Sequence, residues 1–223
     1  MIVADAPYEV TDRRPIAARE TRWANRSAGW LAARGASANM ISIAGLAAGV
    51  AAGAAFAATA HLEGWPQRLA WLAGGLCVQL RLLANLLDGM VAVASGQASR
   101  LGELYNEVPD RISDAVGLIG LGYAAGGSPE LGYLAACAAL LTAYVRVLGK
   151  SSGLPSDFCG PLAKQQRMFL VTVCAACLAC APAAWQPAFG LPALTLGVIA
   201  AGAGFTALRR LLRIARRIQS PAA

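Results

Sequence analysis

Three acids, Asp88, Asp110 and Asp114, stand inside stretches otherwise built of Leu, Ala, Val and Ile. Charges at membrane depth cost at least about 2.5–3.5 kcal/mol each on insertion scales, so such residues are functional candidates. Their spacing suggests the chemistry. Arg81, Asn85 and Asp88 follow at i, i+4 and i+7, which puts all three on one helix face. Asn106, Asp110 and Asp114 follow at steps of four and line a second face. Two oxygen-bearing faces that converge form a plausible cage for hard cations, which take oxygen ligands and leave positions open for phosphate. The competing reading is a closed polar network in which Arg81 and Arg111 neutralise the acids and lock the helices together. Gly89, Ala92 and Gly102 beside the acids favour the cage, because small residues let a ligand approach the backbone.

The elements that must carry these faces are apolar and long. Of 223 residues, 57% are hydrophobic and 14% charged, with a mean hydropathy of +0.52. A soluble domain shows about 45–50% and about 25%. Apolar runs fall at about 38–61, 67–96, 108–126, 130–149, 165–184 and 187–208, separated by turn chemistry such as "EGWPQ", "GGSPE" and "APAAWQP". A bilayer core needs roughly 20 apolar residues. The expected fold is therefore all-α, an integral membrane bundle of six transmembrane helices. Residues 1–36 form a basic cytoplasmic segment and 37–223 the membrane domain. Within the first segment, Trp23 and Trp30 lie seven apart among arginines, which suits an interfacial amphipathic helix.

Seventeen Arg and two Lys against twelve acids give a net charge of +7. The charge gathers at the ends of apolar runs, before the first and after the last, as anchoring on anionic lipid requires. Nucleic acid is not an expected partner. The three loops on one side contain a single basic residue, Arg68, so both termini are expected in the cytoplasm, at a bacterial inner membrane. The first 35 residues lack an early apolar core, and no cleavable signal peptide is expected. Five of the six Cys lie in apolar runs; Cys174, Cys177 and Cys180 read as small packing residues rather than a metal site. His61 lies at the far end of the first run, away from the acids.

The stretch 85–110 resembles the CDP-alcohol phosphatidyltransferase signature, D-x2-D-G-x2-A-R-x8-G-x3-D-x3-D. Asp88, Gly89, Ala92, Gly102 and Asp110 match with the spacer intact, while Asn85, Val93 and Asn106 depart. "SANMISIAGL" at 37–46 is similar to the start of the family's first span. The resemblance implies a phospholipid synthase that moves a phosphatidyl group from a CDP-lipid, such as CDP-diacylglycerol, to an alcohol and releases CMP. It implies one or two Mg2+ or Mn2+ ions at the diphosphate. Asp88 would bind metal and Asp110 would be the general base as well as a ligand, with Asn85, Asn106 and Asp114 at or near ligand positions. Gly89, Ala92 and Gly102 would leave room for the nucleotide. Two Asn in place of Asp weaken such a cage, and reduced metal dependence is expected. With Val93 lacking a guanidinium, Arg100 or Arg111 would have to face the phosphates. The reversed linkage, a CDP-alcohol with diacylglycerol, also lies within the family's range.

The connection 146–168 brackets a Gly/Ser/Pro-rich loop with Arg146, Lys150, Lys164 and Arg167. "GPLAKQQRM" is similar to a family segment that binds a phosphorylated alcohol, so Arg146, Lys164 and Arg167 are candidate acceptor or phosphate ligands; ordinary positive-inside charge is the alternative. The rival to an enzyme is a lapsed family member that binds lipid or assembles complexes. Spans rich in small residues would permit a homodimer.

Overall fold

The computed structural model describes residues 17–96, 100–182 and 190–219, with only the backbone described at 17 and 100–106. These residues form seven α-helices and no strand: α1 (Arg22–Ala33), α2 (Ala38–Ala58, continued by a 3-10 turn Thr59–His61), α3 (Gly64–Ala94), α4 (Arg100–Gly122), α5 (Pro129–Ser151), α6 (Lys164–Cys180) and α7 (Leu191–Gln219). The six apolar runs each correspond to one helix from α2 to α7. Helix α4 starts eight residues before its apolar run, so Asn106, Asp110 and Asp114 share one continuous helix. Helix α7 carries on through the basic tail to Gln219.

Local chemistry sets several boundaries. Ser37 caps α2 by accepting from the Met40 N–H at 3.2 Å, which satisfies one of the four open amides of the first turn. Ser128 does the same for α5, with Pro129 at the first helical position. Helix α3 closes at Ser95 and Gly96, the latter at φ +65°, a left-handed position glycine adopts without strain. Pro109 sits inside α4 and contributes no N–H to its ladder.

Helix α2 packs against both α3 and α4, α5 against α7 and α4, and α3 against α6. The main core joins Phe56, Trp71, Leu118, Val171, Leu196 and Ile199. A second cluster seats Ala24 and Ala28 of α1 on Leu86, Leu87, Met90 and Val91 of α3, beside the acids. Outside, α3 exposes Leu72, Leu76, Leu80 and Leu83, and α5 exposes Leu134 and Leu141. Four helical segments, Ala38–His61, α3, α5 and α7, are long and apolar enough to cross a membrane. Helix α6 has only 17 residues, and the first half of α4 carries five charged residues between Glu103 and Asp114.

Small residues bring α2 and α4 together. A Cβ added at Gly120 would strike the Gly53 backbone, and one at Gly49 would strike Ser113. Gly117, on the same helix, has open space around it. Gly120→Ala is expected to cost about 1–3 kcal/mol of stability through overpacking, with Gly117→Ala close to neutral. Thermal unfolding of the two variants in detergent checks this; equal midpoints would show that the α2–α4 approach is not tight.

Candidate active site

Helices α3 and α4 converge beside α6, and the charged residues of all three meet there. Asp110 is the hub. Its carboxylate is ion-paired with the Arg81 guanidinium through one oxygen. The Lys164 ammonium donates to its other oxygen at 2.7 Å, and the Asn85 carboxamide N–H group lies 3.0 Å from both. Arg111 stands 3.9 Å away on the outer side. Arg81 also donates through Nε to Ser113 at 2.6 Å. Gly45 of α2 leaves the space in which the Arg81 side chain lies.

Asp114, one turn further along α4, faces Lys164 at 3.6 Å and Arg167 at 3.8 Å. A cavity of about 10 Å³ lies beside Asp114, Arg81 and Ser113. That is the size of one water molecule. Asp88 is set differently. It is 2% exposed and accepts from the Ser42 hydroxyl at 2.8 Å and the Gly89 N–H at 2.6 Å. Both hydrogen-bond partners are neutral.

Lys164 is held in place by the loop before it. Arg210 of α7 donates to the Cys159 carbonyl at 2.8 Å and the Thr142 carbonyl at 3.0 Å. Arg167, 1% exposed, donates to the Leu162 carbonyl at 3.0 Å. The Asp157 carboxylate accepts the Cys159 N–H and pairs with Arg213 at 3.3 Å. Gly160 and Leu162 rest on Thr206 and Gly202 of α7, where a larger side chain would clash. The loop therefore delivers Lys164, the first residue of α6, to a fixed position.

Beside this cluster, Glu107 bridges two arginines, Arg146 at 2.6 Å and Arg111 at 3.1 Å. Arg146 thus reaches the site from α5, as its position in the sequence suggests, with Phe158 under its guanidinium. Ala92 and Gly89 lie on α3 next to Asp88, and a Cβ at Gly89 would meet nothing. Arg100, Gly102 and Asn106 lie outside the residues with described side chains. Ser42 and Arg210 were not singled out in the sequence. Arg210 had a readable signal: Ala203, Thr206, Ala207, Arg210 and Ile214 fall on one buried face of α7 at helical spacing.

Among the described residues, no three His, Cys, Asp or Glu side chains converge as a cation cage. The donor chemistry is uneven. Asp88, with neutral partners, fits a divalent ion; Asp110, with both oxygens held by Arg81, Lys164 and Asn85, is already compensated.

No family model matches the chain. The phosphatidylinositol phosphate synthase of Streptomyces avermitilis is 27% identical over 209 residues, 88% of this chain and 79% of that protein. The crystal structure of the Mycobacterium tuberculosis phosphatidylinositol phosphate synthase with CDP-DAG bound superposes with a TM-score of 0.71 at 21% identity, covering 91% of this chain and 96% of that one. The complex of the M. tuberculosis protein with manganese and citrate also gives 0.71, at 20% identity, over 89% and 90% of the two chains. The solved structures establish the shared fold. The sequence relative is consistent with the CDP-alcohol phosphatidyltransferase family that the stretch 85–110 resembles.

The ion pair at the centre of this site can be weighed directly. Removing one partner of a buried pair leaves the other uncompensated and costs about 3–5 kcal/mol. Arg81→Gln is expected to lose that much, and the double variant Arg81→Gln/Asp110→Asn less than the sum of the singles. Unfolding midpoints of the four proteins measure it. Strict additivity would mean that the two side chains do not sense each other.

Proposed function

We propose that this chain transfers the phosphatidyl group of CDP-diacylglycerol to the hydroxyl of a phosphorylated alcohol, releasing CMP, with inositol phosphate the first acceptor to test. The observation that carries the reading is the Asp110 cluster: a carboxylate on α4 facing Lys164, Arg81 and Asn85, with Asp88 across from it on α3. The relatives are synthases of this reaction type, one of them solved with CDP-DAG, which favours an enzyme over a lapsed binding protein.

Displacement at a diphosphate needs its charge neutralised, a nucleophile in line and a base within hydrogen-bond reach. Asp110 is the base. An acceptor hydroxyl reaches it by replacing the Asn85 or Lys164 contact and gives up its proton to a carboxylate oxygen. Lys164 and Arg111 then stand beside the transferring phosphate as fixed positive charge. Arg146 and Arg111, now bridged by Glu107, bind the acceptor's phosphate in a geometry arginine favours. Arg167 positions the loop and Asp114 rather than meeting substrate directly. A divalent ion, when bound, supplies further neutralisation of the diphosphate, and Asp88 is the residue placed to hold it.

All six long helices, in this reading, cross the membrane. Helices α4 and α6 are tolerated there because their charges face one another inside the bundle. Helix α1, with Trp23 and Trp30 exposed and Arg34 stacked 4.0 Å from the Trp30 ring, lies along the cytoplasmic surface. The start of α1 and the end of α7 face the cytoplasm.

The test is CMP release from CDP-diacylglycerol by purified protein, with inositol phosphate, inositol and glycerol phosphate as acceptors and Mg2+ or Mn2+ present. Release is expected with a phosphorylated acceptor and is expected to fall by about 10²–10⁴-fold in Asp110→Asn, the range for losing a general base. Release unaffected by that change would remove Asp110 from the chemistry.

A further inference from the structure

The Lys164 ammonium sits in the kind of oxygen nest that a hard cation takes. It donates to Asp110 Oδ2 at 2.7 Å and lies 3.6 Å from Asp114 Oδ1 and 3.4 Å from Asn85 Oδ1. Two carboxylates and a carboxamide, drawn from α3 and two turns of α4, are the ligand classes of an oxygen-coordinated ion. Here they surround a side chain delivered from α6, and that side chain is buried. Arg81 covers the remaining oxygen of Asp110, and Arg167 faces Asp114. Around these two acids, Arg81, Lys164 and Arg167 supply three positive charges against two negative ones. A divalent ion added there would meet net repulsion.

Asn85 fits this arrangement at both ends. Its N–H group donates to the Asp110 carboxylate, and its oxygen faces the Lys164 ammonium. An aspartate at 85 has no proton to donate when ionised and would press a second carboxylate against Asp110. It would need a metal between them. Asn85 and Lys164 therefore read as a matched pair. Asp88 has Ser42 and Gly89, both neutral, as its hydrogen-bond partners among the described residues, so, unlike Asp110, it is an acid of the site not already held by a cationic hydrogen bond.

We propose that the Lys164 ammonium takes the place of one divalent cation in this site, so that the chain binds a single divalent ion, held from Asp88, and not a pair spanning α3 and α4. The inference rests on the transferase reading and specifies how that site is charged.

Titration of Mn2+ into the full chain in detergent, counting bound ions by the loss of the free-ion electron paramagnetic resonance signal, reads it without any turnover. Wild type is expected to bind one ion per chain, and Lys164→Arg, which keeps the charge, also one. Asn85→Asp/Lys164→Gln, which restores the acid and removes the ammonium, is expected to bind two. Two ions on wild type, none on wild type, or no gain in the folded double variant would overturn the proposal. Should the double variant fail to fold, the counts for wild type and Lys164→Arg decide alone. CMP release measured on the same preparations keeps the two readings apart. Turnover with two ions bound would overturn the built-in cation and leave the transferase standing. Absence of release with every acceptor would overturn the transferase, whatever the ion count.

Discussion

The burial of Asp110 among apolar helices is the constraint on which the rest of this structure turns. An ionised carboxylate taken out of water is costly unless charge and hydrogen bonds replace its hydration. Arg81, Lys164 and Asn85 do so from two other helices. Each compensating group then needs its own place. Arg81 requires Gly45 on α2 and donates an Nε hydrogen bond to Ser113. Lys164 requires a loop that ends in one position, and Arg210 and Arg167 hold that loop through its carbonyls. A single acid on α4 therefore ties together α2, α3, α6 and α7. Apolar packing alone would let these helices slide or rotate, since lipid tails are as apolar as leucine and give little drive for one register over another.

Close backbone approach is the second half of the design. Glycines on α2 let α4 come near enough for Gly53 and Gly120 to meet and for Gly49 to touch Ser113. Ser42, one turn before Gly45 on the same helix, reaches Asp88 on α3. Helix α2 thus serves the site from behind, spacing α4 with its glycines and orienting Asp88 with its hydroxyl. The contact between α1 and α3 beside Asp88 adds a surface element to the same end of the bundle.

Much of this architecture could be read from the chain. Six apolar runs correspond to six helices, because length and hydropathy are local properties, and the ends depart most where α4 begins in polar sequence and α7 continues through the basic tail. The faces bearing Arg81, Asn85, Asp88, Asp110 and Asp114 followed from helical spacing, and the fold brings them together. What spacing did not reveal was who pairs with whom. Asn85, Asp110 and Asp114 stood as candidate metal ligands, and Arg81 and Arg111 as the basic alternative; the structure engages Asp110 with Arg81, Asn85 and Lys164 at once. Lys164, 54 residues away, reads locally as loop charge or a phosphate ligand, and only the α5–α6 loop brings it to Asp110. Arg210 likewise looked like one more basic residue of the tail. Its role depends on α7 continuing unbroken past the apolar run, so that Arg210 faces Thr142 and Cys159.

A side-chain cation and a bound ion are different solutions to the same electrostatic problem. A divalent ion brings twice the charge and several coordination positions, and it can draw a phosphate oxygen into its own shell. An ammonium brings one charge and three donors on a flexible stem, and it is strongly hydrated when exposed. Burial removes that hydration, and the loop fixed by Arg210 removes the flexibility. What remains is a charge whose presence does not depend on free metal concentration and whose position is set by the fold. It neutralises a diphosphate less completely than an ion would. The arginines clustered nearby, Arg81 inside and Arg111 and Arg146 at the rim, spread further positive charge over the same space. Arginine cannot give up its proton in a protein, so this field persists across the working pH range. A site with Asn85 where an acid would draw in metal needs such a field if it is to hold a diphosphate beside the Asp110 carboxylate. The rim arginines and the buried lysine supply it from residues the bundle already orders for its own stability.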